Sequence, residues 1–270
     1  MKKLANLIAN LKVVSHSISF EVKLQKKKFI IFSIITLFFY SLTTIVPYVF
    51  ISSMDLPFNS QFDLYQYSIF IFMTILFLTT GFFFSGIVCT EYKKKTGLTL
   101  LPLIDKHNLI IGKYIANFLL VIGIAAIQYF LMALLAFYFF AEPIPPSLFL
   151  SFAYLALYIL ALASITTFLS SFMPSAGPVI IIIVALNFFG FSIFDVFVTP
   201  TGIEPLYSLT YLSNIISNIV YPEFSTMVRY YDFTPRFWRF PSAEGALIVL
   251  TLYAMVFFLL GYLLFKRRQL

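Results

Sequence analysis

The sequence predicts an all-α integral membrane protein with six transmembrane helices, and three observations lead to that fold class. Hydrophobic residues make up 61% of the 270 residues and charged residues only 11%, whereas soluble globular domains carry about 25% charged residues. Six apolar runs reach the roughly 20 residues that cross a bilayer as a helix. Backbone polar groups in lipid are satisfied within helices or closed barrels. We therefore predict one transmembrane domain of helices over residues 1–270.

The first element is predicted over 4–24, where apolar residues recur at helical spacing and polar residues such as Glu21 fall between them. This pattern indicates an amphipathic helix that lies in the inner leaflet. The next apolar run starts at Phe29 and lacks a small-residue cleavage site, so we interpret it as an uncleaved span. The six spans are predicted at 29–51, 66–88, 114–140, 148–172, 178–198 and 245–265.

Basic residues predict the orientation of these spans, because cytosolic loops are enriched in lysine and arginine. All but three of the 18 basic residues lie before the first span, between the second and third, or after the sixth. With six spans these three groups fall on one side, so both termini are predicted to be cytosolic. Topology thus explains the net charge of +7, and no nucleic-acid partner is predicted.

The longest predicted outer connection covers 199–243 and includes a possible short helix at 206–220. Its aromatic and arginine-rich stretch 230–240 has two interpretations. It forms an aromatic belt that seats the loop in the lipid headgroups, or it is a gate or lateral exit over a central cavity. The aromatic candidates for the gate are Tyr230, Tyr231, Phe237 and Trp238.

Polar residues are few within the predicted spans. Asn117 and Gln128 are eleven residues apart and share a helix face, and Asn187 lies midway along the fifth span. They either form hydrogen bonds between helices or line a weakly polar pathway. No acid lies near the middle of a span, and Asp195 is close to the outer end of the fifth, so a proton- or sodium-driven carrier is disfavoured.

The sequence lacks the motifs of common energy-converting and catalytic sites. A phosphate-binding loop would need glycine where His107 precedes Gly112 and Lys113. One cysteine and two distant histidines give no metal-site spacing. The chain is therefore predicted to be no enzyme and to carry no cofactor or metal, and energy for active transport would come from another chain.

The polar segment 91–113 interrupts the apolar sequence between the second and third predicted spans. Its pattern predicts one or two short helices that lie against the inner leaflet and carry charged residues along their rim. This segment resembles the coupling hairpin of permease subunits of type-2 ABC transporters, and the layout of six spans and a long last outer loop is similar. The family often has Ser-Arg in the polar turn that here contains Lys106. The matching residues are Glu91, Lys93, Lys94, Lys95, Thr96, Gly97, Leu98, Leu100, Leu101, Pro102, Lys106, Gly112 and Lys113.

The resemblance implies that this hairpin fits a cleft of a separate ABC ATPase (nucleotide-binding) subunit, which would bind ATP and Mg. Glu91 would contact that subunit or brace the hairpin, and the leucines would pack into the cleft. The lysines 93–95 would meet an acidic rim or lipid phosphates, or are simple positive-inside charge. Alternatively, Glu91 is a surface acid paired with Lys94 or Lys95.

The resemblance also implies a place in the cell (plasma) membrane and a second permease copy or paralogue as a partner, beside membrane lipids. The apolar interior favours export of a hydrophobic or amphipathic compound. Two other classes stay open: a channel or secondary carrier without an ATPase, and a membrane-embedded lipid-modifying enzyme.

Overall fold

The structure, a computed structural model, describes residues 2–46, 58–93, 106–198, 201–231 and 237–267. Two π-helical segments, Ser41–Ile45 and Leu186–Phe191, each continue directly from the end of an α-helix. Two short strands, β1 (Tyr230–Tyr231) and β2 (Phe237–Trp238), pair antiparallel. The α-helices are α1 (Lys2–Tyr40), α2 (Gln61–Phe84), α3 (Cys89–Lys93), α4 (Lys106–Phe140), α5 (Pro146–Phe172), α6 (Ala176–Ala185), α7 (Ser192–Val198), α8 (Leu209–Asn218) and α9 (Ala243–Arg267).

Within the described residues, six helical stretches are long and apolar enough to span a membrane, so the predicted all-α, multi-pass architecture is confirmed at that level. All six begin before the predicted bounds, and the second and sixth also end after them. Residues 47–51 of the predicted first span lie outside the described residues. The stretches are Lys12–Ile45, Gln61–Glu91, Asn108–Phe140, Pro146–Phe172, Ala176–Val198 and Ala243–Arg267.

Helix α1 runs without a break from Lys2 to Tyr40, so the predicted helix at 4–24 and the first span are one continuous helix. The sequence has no glycine or proline before Pro47, and either residue would be the usual cause of a break. The predicted position of 4–24 in the inner leaflet stays a prediction.

Glycines allow α1 to pack closely along α4. A Cβ atom on Gly112 would lie 2.6 Å from Ser17 Cβ, and one on Gly123 would lie 3.3 Å from Phe29 Cε2. Both contacts advance in the same direction along the two helices, so α1 and α4 run parallel. This arrangement matches the first and third spans of an alternating bundle.

Contacts at the helix ends define two ends of the bundle. At one end, which we call the outer end, Gln61 at the start of α2 donates to Glu142 just after α4, at 2.6 Å. At the opposite end, the inner end, Ser170 in the last turn of α5 contacts the end of α2. The inner end also carries the start of α4 and the end of α9, and it is the end that the basic residues predict to be cytosolic.

A turn at 85–88 ends α2 before the second spanning stretch is complete. The Ser170 hydroxyl donates to Ser85 O at 2.7 Å and accepts from the amides of Val88 at 3.2 Å and Cys89 at 3.1 Å. A buried side chain of α5 thus satisfies the backbone groups that the turn leaves unpaired. The turn redirects the chain into α3, which carries Glu91.

The outer connection is partly helical, as predicted. Helix α8 begins after Ser208, whose hydroxyl accepts from the Tyr211 amide at 3.3 Å as an N-cap. In the β1–β2 pair Tyr230 lies opposite Trp238. The fifth spanning stretch passes through the π-helical segment Leu186–Phe191 and ends beside this outer structure.

Candidate functional site: a buried ion cluster and two cavities

Three ionisable side chains from three helices meet near the inner end, and we call them the basal ion cluster. Lys113 Nζ of α4 donates to Glu91 Oε1 of α3, and it lies 4.0 Å from Glu21 Oε2 of α1. The side chains are 12%, 8% and 4% exposed, respectively. Gln25 Nε2 donates to Glu21 Oε1 at 2.8 Å. The cluster therefore connects α1, α3 and α4 through two buried carboxylates and a largely enclosed ammonium group.

Charge pairing is what permits this burial. An isolated charge in a low-dielectric site costs several kcal/mol, and a partner offsets much of that cost. Within the basal ion cluster Lys113 lies against both carboxylates, so it is the central member. Glu91 is buried rather than at the surface, and Lys94 and Lys95, its partners in the alternative interpretation, lie outside the described residues.

The basal ion cluster forms part of the wall of a cavity of about 760 Å³, the inner cavity, between α1, α2, α3 and α4. The rest of the wall is mixed, with apolar side chains such as Phe20 and Leu109 beside polar ones such as Lys28. Asn117, a predicted pathway residue, also lines it. Its Nδ2 donates to Lys113 O at 2.9 Å, one turn earlier, while its buried Oδ1 accepts no hydrogen bond from the described residues.

Most of the predicted coupling residues cannot be compared with the structure. Lys93 ends α3 two residues after Glu91, and Lys106 begins α4 seven residues before Lys113. The coupling role of the segment stays a prediction. Eight predicted residues lie outside the described part of the chain: Lys94, Lys95, Thr96, Gly97, Leu98, Leu100, Leu101 and Pro102.

Gln128 faces a separate small polar cavity of about 10 Å³, together with Thr36 and Tyr40 of α1 and Ser68 of α2. Within the described residues, Gln128 Oε1 and the hydroxyls of these three residues have no hydrogen-bond partner. Asn117 and Gln128 both lie on the side of α4 that faces α1. They line two different cavities rather than one continuous pathway.

Asn187 and Trp238, both predicted pathway residues, line a cavity of about 500 Å³ near the outer end, which we call the outer cavity. It lies between α2, the fifth spanning stretch and α8. Asn187 is 8% exposed, and its Oδ1 accepts no hydrogen bond from the described residues. Asp195 also lines the cavity and accepts a hydrogen bond from Ser208 Oγ at 2.9 Å.

The β1–β2 pair holds Trp238 in place at this cavity. Trp238 Nε1 donates to Gly202 O at 3.0 Å, and the Arg229 guanidinium lies 5.3 Å from its ring centroid. Arg229 in turn pairs with Glu204 at 3.0 Å. The Tyr211 hydroxyl donates to the same carboxylate at 2.9 Å, and burial together with that carboxylate raises the pKa of Tyr211 above its usual range. Tyr211 is therefore a neutral donor.

The other aromatic candidates are less enclosed. The Tyr230 ring packs on Trp238 with centroids 5.4 Å apart. Tyr231 is 49% exposed, stacks with Arg239 and lines a neighbouring groove rather than the outer cavity. Phe237 belongs to β2, but its side chain lies outside the described residues.

Sequence reasoning missed two of the residues that build these sites. Glu21 was expected to be a polar residue on the exposed face of an interfacial helix, but the close packing of α1 on α4 buries it. Asp195 was expected to be a charged residue near the membrane surface, where the free-energy cost of a charge is small. In the structure the outer connection folds over it. Neither outcome has a local signal, because both depend on contacts between distant segments.

No protein-family model matches this chain, and a search of curated proteins found no match. The assignment to a class of membrane protein therefore depends on the residues and their geometry.

Proposed function

We propose that this chain is the membrane-spanning permease subunit of an ATP-driven ABC transporter. Two copies, or one copy and a paralogue, would form the transport unit in the plasma membrane. Separate ATPase subunits would bind ATP and Mg and supply the energy. The transported compound would be hydrophobic or amphipathic, and export is the expected direction.

The observation that carries the proposal is the Glu91–Lys113 contact. It joins the first and last residues of the segment that resembles a coupling hairpin. The chain therefore leaves the bundle and returns to it at one point, where the two ends are bonded to each other. Glu21 extends the brace to α1, and Ser170 connects the preceding turn to α5. A force on the segment would thus reach four spans at once. Such a connection supports coupling if the bundle has two arrangements that the ATPase binds differently.

Co-purification tests the proposal directly. The tagged chain would be purified in mild detergent from cells that also express the soluble protein encoded beside it. We expect a partner with a phosphate-binding loop to co-purify and transport in vesicles to require that partner and ATP. Uphill transport by the chain alone in vesicles would contradict the proposal.

A proton-coupled secondary carrier is the second candidate, and the basal ion cluster is the observation that favours it. Ionisable residues buried in a membrane protein often mark ion or proton pathways. Vesicles that contain only this chain would be given a pH gradient. Proton-driven uptake that Lys113→Met abolishes would favour the carrier over the ABC subunit.

A further inference from the structure

We infer that the exposed face of α1 binds an anionic phospholipid of the leaflet at the inner end. The phosphate would lie against three lysines, which we call the lysine patch, and an acyl chain would follow the apolar part of the same face. This lipid site goes beyond the proposed transport and requires no ATPase, so either proposal can fail while the other holds. The lysine patch consists of Lys23, Lys26 and Lys27.

The lysines of α1 mark where the hydrocarbon core of the membrane begins. Four of the six residues from Lys23 to Lys28 are lysine, and charged side chains are strongly disfavoured within the core. The core therefore begins near Phe29. From there the helical stretch continues to Ile45, which gives about 24 Å at about 1.5 Å per residue and approaches the core thickness of about 30 Å.

A contact with α4 gives the same boundary independently. A Cβ on Gly123 would lie 3.3 Å from Phe29 Cε2, so the two residues are at one level. Helix α4 continues from Gly123 to Phe140, which is about 26 Å. The two neighbouring helices thus offer nearly equal lengths to the core. The lysine patch precedes Phe29 by two to six residues, or about 3–9 Å, which is the depth of the lipid headgroups.

The lysine patch is accessible to a phosphate group. Its three side chains are exposed, and they form no ion pair with the described residues. The single acid in the sequence of α1, Glu21, is 3% exposed and belongs to the basal ion cluster. The described residues on the exposed face of α1 therefore carry only positive charge at the depth of the headgroups. Lysines placed there attract anionic phospholipids.

The same face continues into the membrane as an apolar row. Ile31 follows Lys27 by four residues, and Ile34 and Phe38 follow at steps of three and four, so these side chains share one side of α1. All three apolar side chains are exposed. Side chains of a helix lean toward its N-terminus, so the lysines point away from the core. One phospholipid, with its phosphate below and its chain above, matches this order.

An apolar groove between α1 and α4 gives the acyl chain a place along this row. Ile34 and Phe38 form one wall of the groove, and Leu131 and Leu134 of α4 belong to the other. Its volume is about 720 Å³. The lysine patch and the groove are therefore two parts of one site, which distinguishes it from a diffuse excess of cytosolic lysines.

Two tryptophan reporters would measure lipid binding. In a Trp238→Phe background, which removes the single tryptophan of the chain, Ile31→Trp places a reporter beside the lysine patch. Ile181→Trp is the matched control, because Ile181 is exposed on α6 near the inner end and residues 173–198 include no lysine or arginine. The chains would be reconstituted in mixed vesicles of phosphatidylcholine and phosphatidylglycerol. Bromine on the acyl chains of one lipid at a time would quench the reporter and give the relative affinity.

We expect phosphatidylglycerol to bind about fivefold more tightly than phosphatidylcholine beside Ile31→Trp, and the two lipids to bind equally beside Ile181→Trp. Changing the three lysines of the patch together to Gln should remove the preference, and changing them to Arg should retain it. High salt should reduce the preference, because salt screens exposed charges.

Equal binding of the two lipids beside Ile31→Trp would overturn the proposal. The same preference at both reporters would also overturn it, because it would show a general affinity for anionic lipid rather than a site. A preference that survives the change to Gln would exclude the lysine patch. The comparison of the two reporters keeps the native lysines, so it decides the matter even if the Gln variant does not insert.

Discussion

Lys113 of α4 donates a hydrogen bond through Nζ to Oε1 of Glu91 in α3, twenty-two residues earlier in the chain. The Glu91 side chain is 8% exposed and the Lys113 side chain 12%, and a second carboxylate, Glu21, lies 4.0 Å from the same nitrogen. The contact closes the base of the polar segment between the second and third spans. It connects the two ends of that segment to each other and to α1.

Removing Lys113 should therefore cost more than removing either acid. Lys113→Met removes the ammonium group that contacts Glu91 and lies 4.0 Å from Glu21, and we expect the chain to lose about 3–5 kcal/mol of stability. Glu91→Gln leaves Glu21 to face Lys113 and should cost less. The midpoint of thermal unfolding in detergent would rank these variants.

A double-mutant cycle supplies the control for this ranking. Glu91→Gln combined with Lys113→Met should depart from additivity by about 0.5–3 kcal/mol, because the two residues are in contact. Lys113→Arg keeps the charge and should lose less than Lys113→Met. Additive effects of the two single changes would show that the contact contributes nothing.

The leucines of the segment are expected to serve coupling rather than membrane insertion. Replacing Leu100 and Leu101 with Asp, or reversing the charge of Glu91, should abolish ATP-dependent transport while the chain still inserts into the membrane. A buried charge in an apolar contact with the ATPase would be strongly unfavourable. Transport and ATPase co-purification would be measured in parallel.

Ile203→Asp is the matched control, because Ile203 is exposed on the outer connection, away from the inner end. It introduces the same charge and should leave transport unchanged. If the Leu100 and Leu101 variants transport at the parental rate, the segment does not couple an ATPase to the spans.

Gly112 controls how closely α1 approaches α4. A Cβ at this position would lie 2.6 Å from Ser17 Cβ, so Gly112→Ala should separate the helices and destabilise the chain by about 1–3 kcal/mol. Adding Ser17→Gly should restore stability, because it removes the opposing atoms. Thermal unfolding midpoints of the three chains would show the loss and the recovery.

Gly177→Ala tests whether any alanine at a helical glycine has this effect. A Cβ on Gly177 in α6 would meet nothing within 4 Å, so this variant should keep or slightly raise stability through its higher helix propensity. A loss as large as that of Gly112→Ala would argue against the steric explanation.

The sequence predicted the spans well because their signal is local. Runs of apolar residues and the distribution of lysine and arginine need no tertiary contact to be recognised, and all six stretches appear in the structure. The continuity of α1 was harder to predict from the sequence. Its amphipathic first part and its apolar second part suggested two elements, although no residue between them breaks a helix.

The sites were only partly predictable, because their residues come from distant segments. Asn187 and Trp238 were identified separately, and the folding of the outer connection over the fifth span brings them to one cavity. Asn117 and Gln128 share a helix side, but α1 and α2 enclose them in different cavities. The burial of Glu21 depends on the contact between Ser17 and Gly112, which hydropathy patterns do not reveal.

The amide of Gln128 provides a test of whether the small polar cavity stabilises the fold or serves transport. Its Oε1 has no hydrogen-bond partner among the described residues, and an unpaired buried polar atom costs about 1–3 kcal/mol. Gln128→Met keeps the length of the side chain without the polar atoms, so we expect a higher unfolding midpoint.

Gln66→Met is the contrast, because Gln66 Nε2 donates to Asn218 Oδ1 at 3.1 Å and its Oε1 accepts from Tyr221 at 2.9 Å. That variant should lower the midpoint. A loss in Gln128→Met equal to that in Gln66→Met would mean that the Gln128 amide is satisfied. Reduced transport by a more stable Gln128→Met chain would instead assign this residue to the pathway.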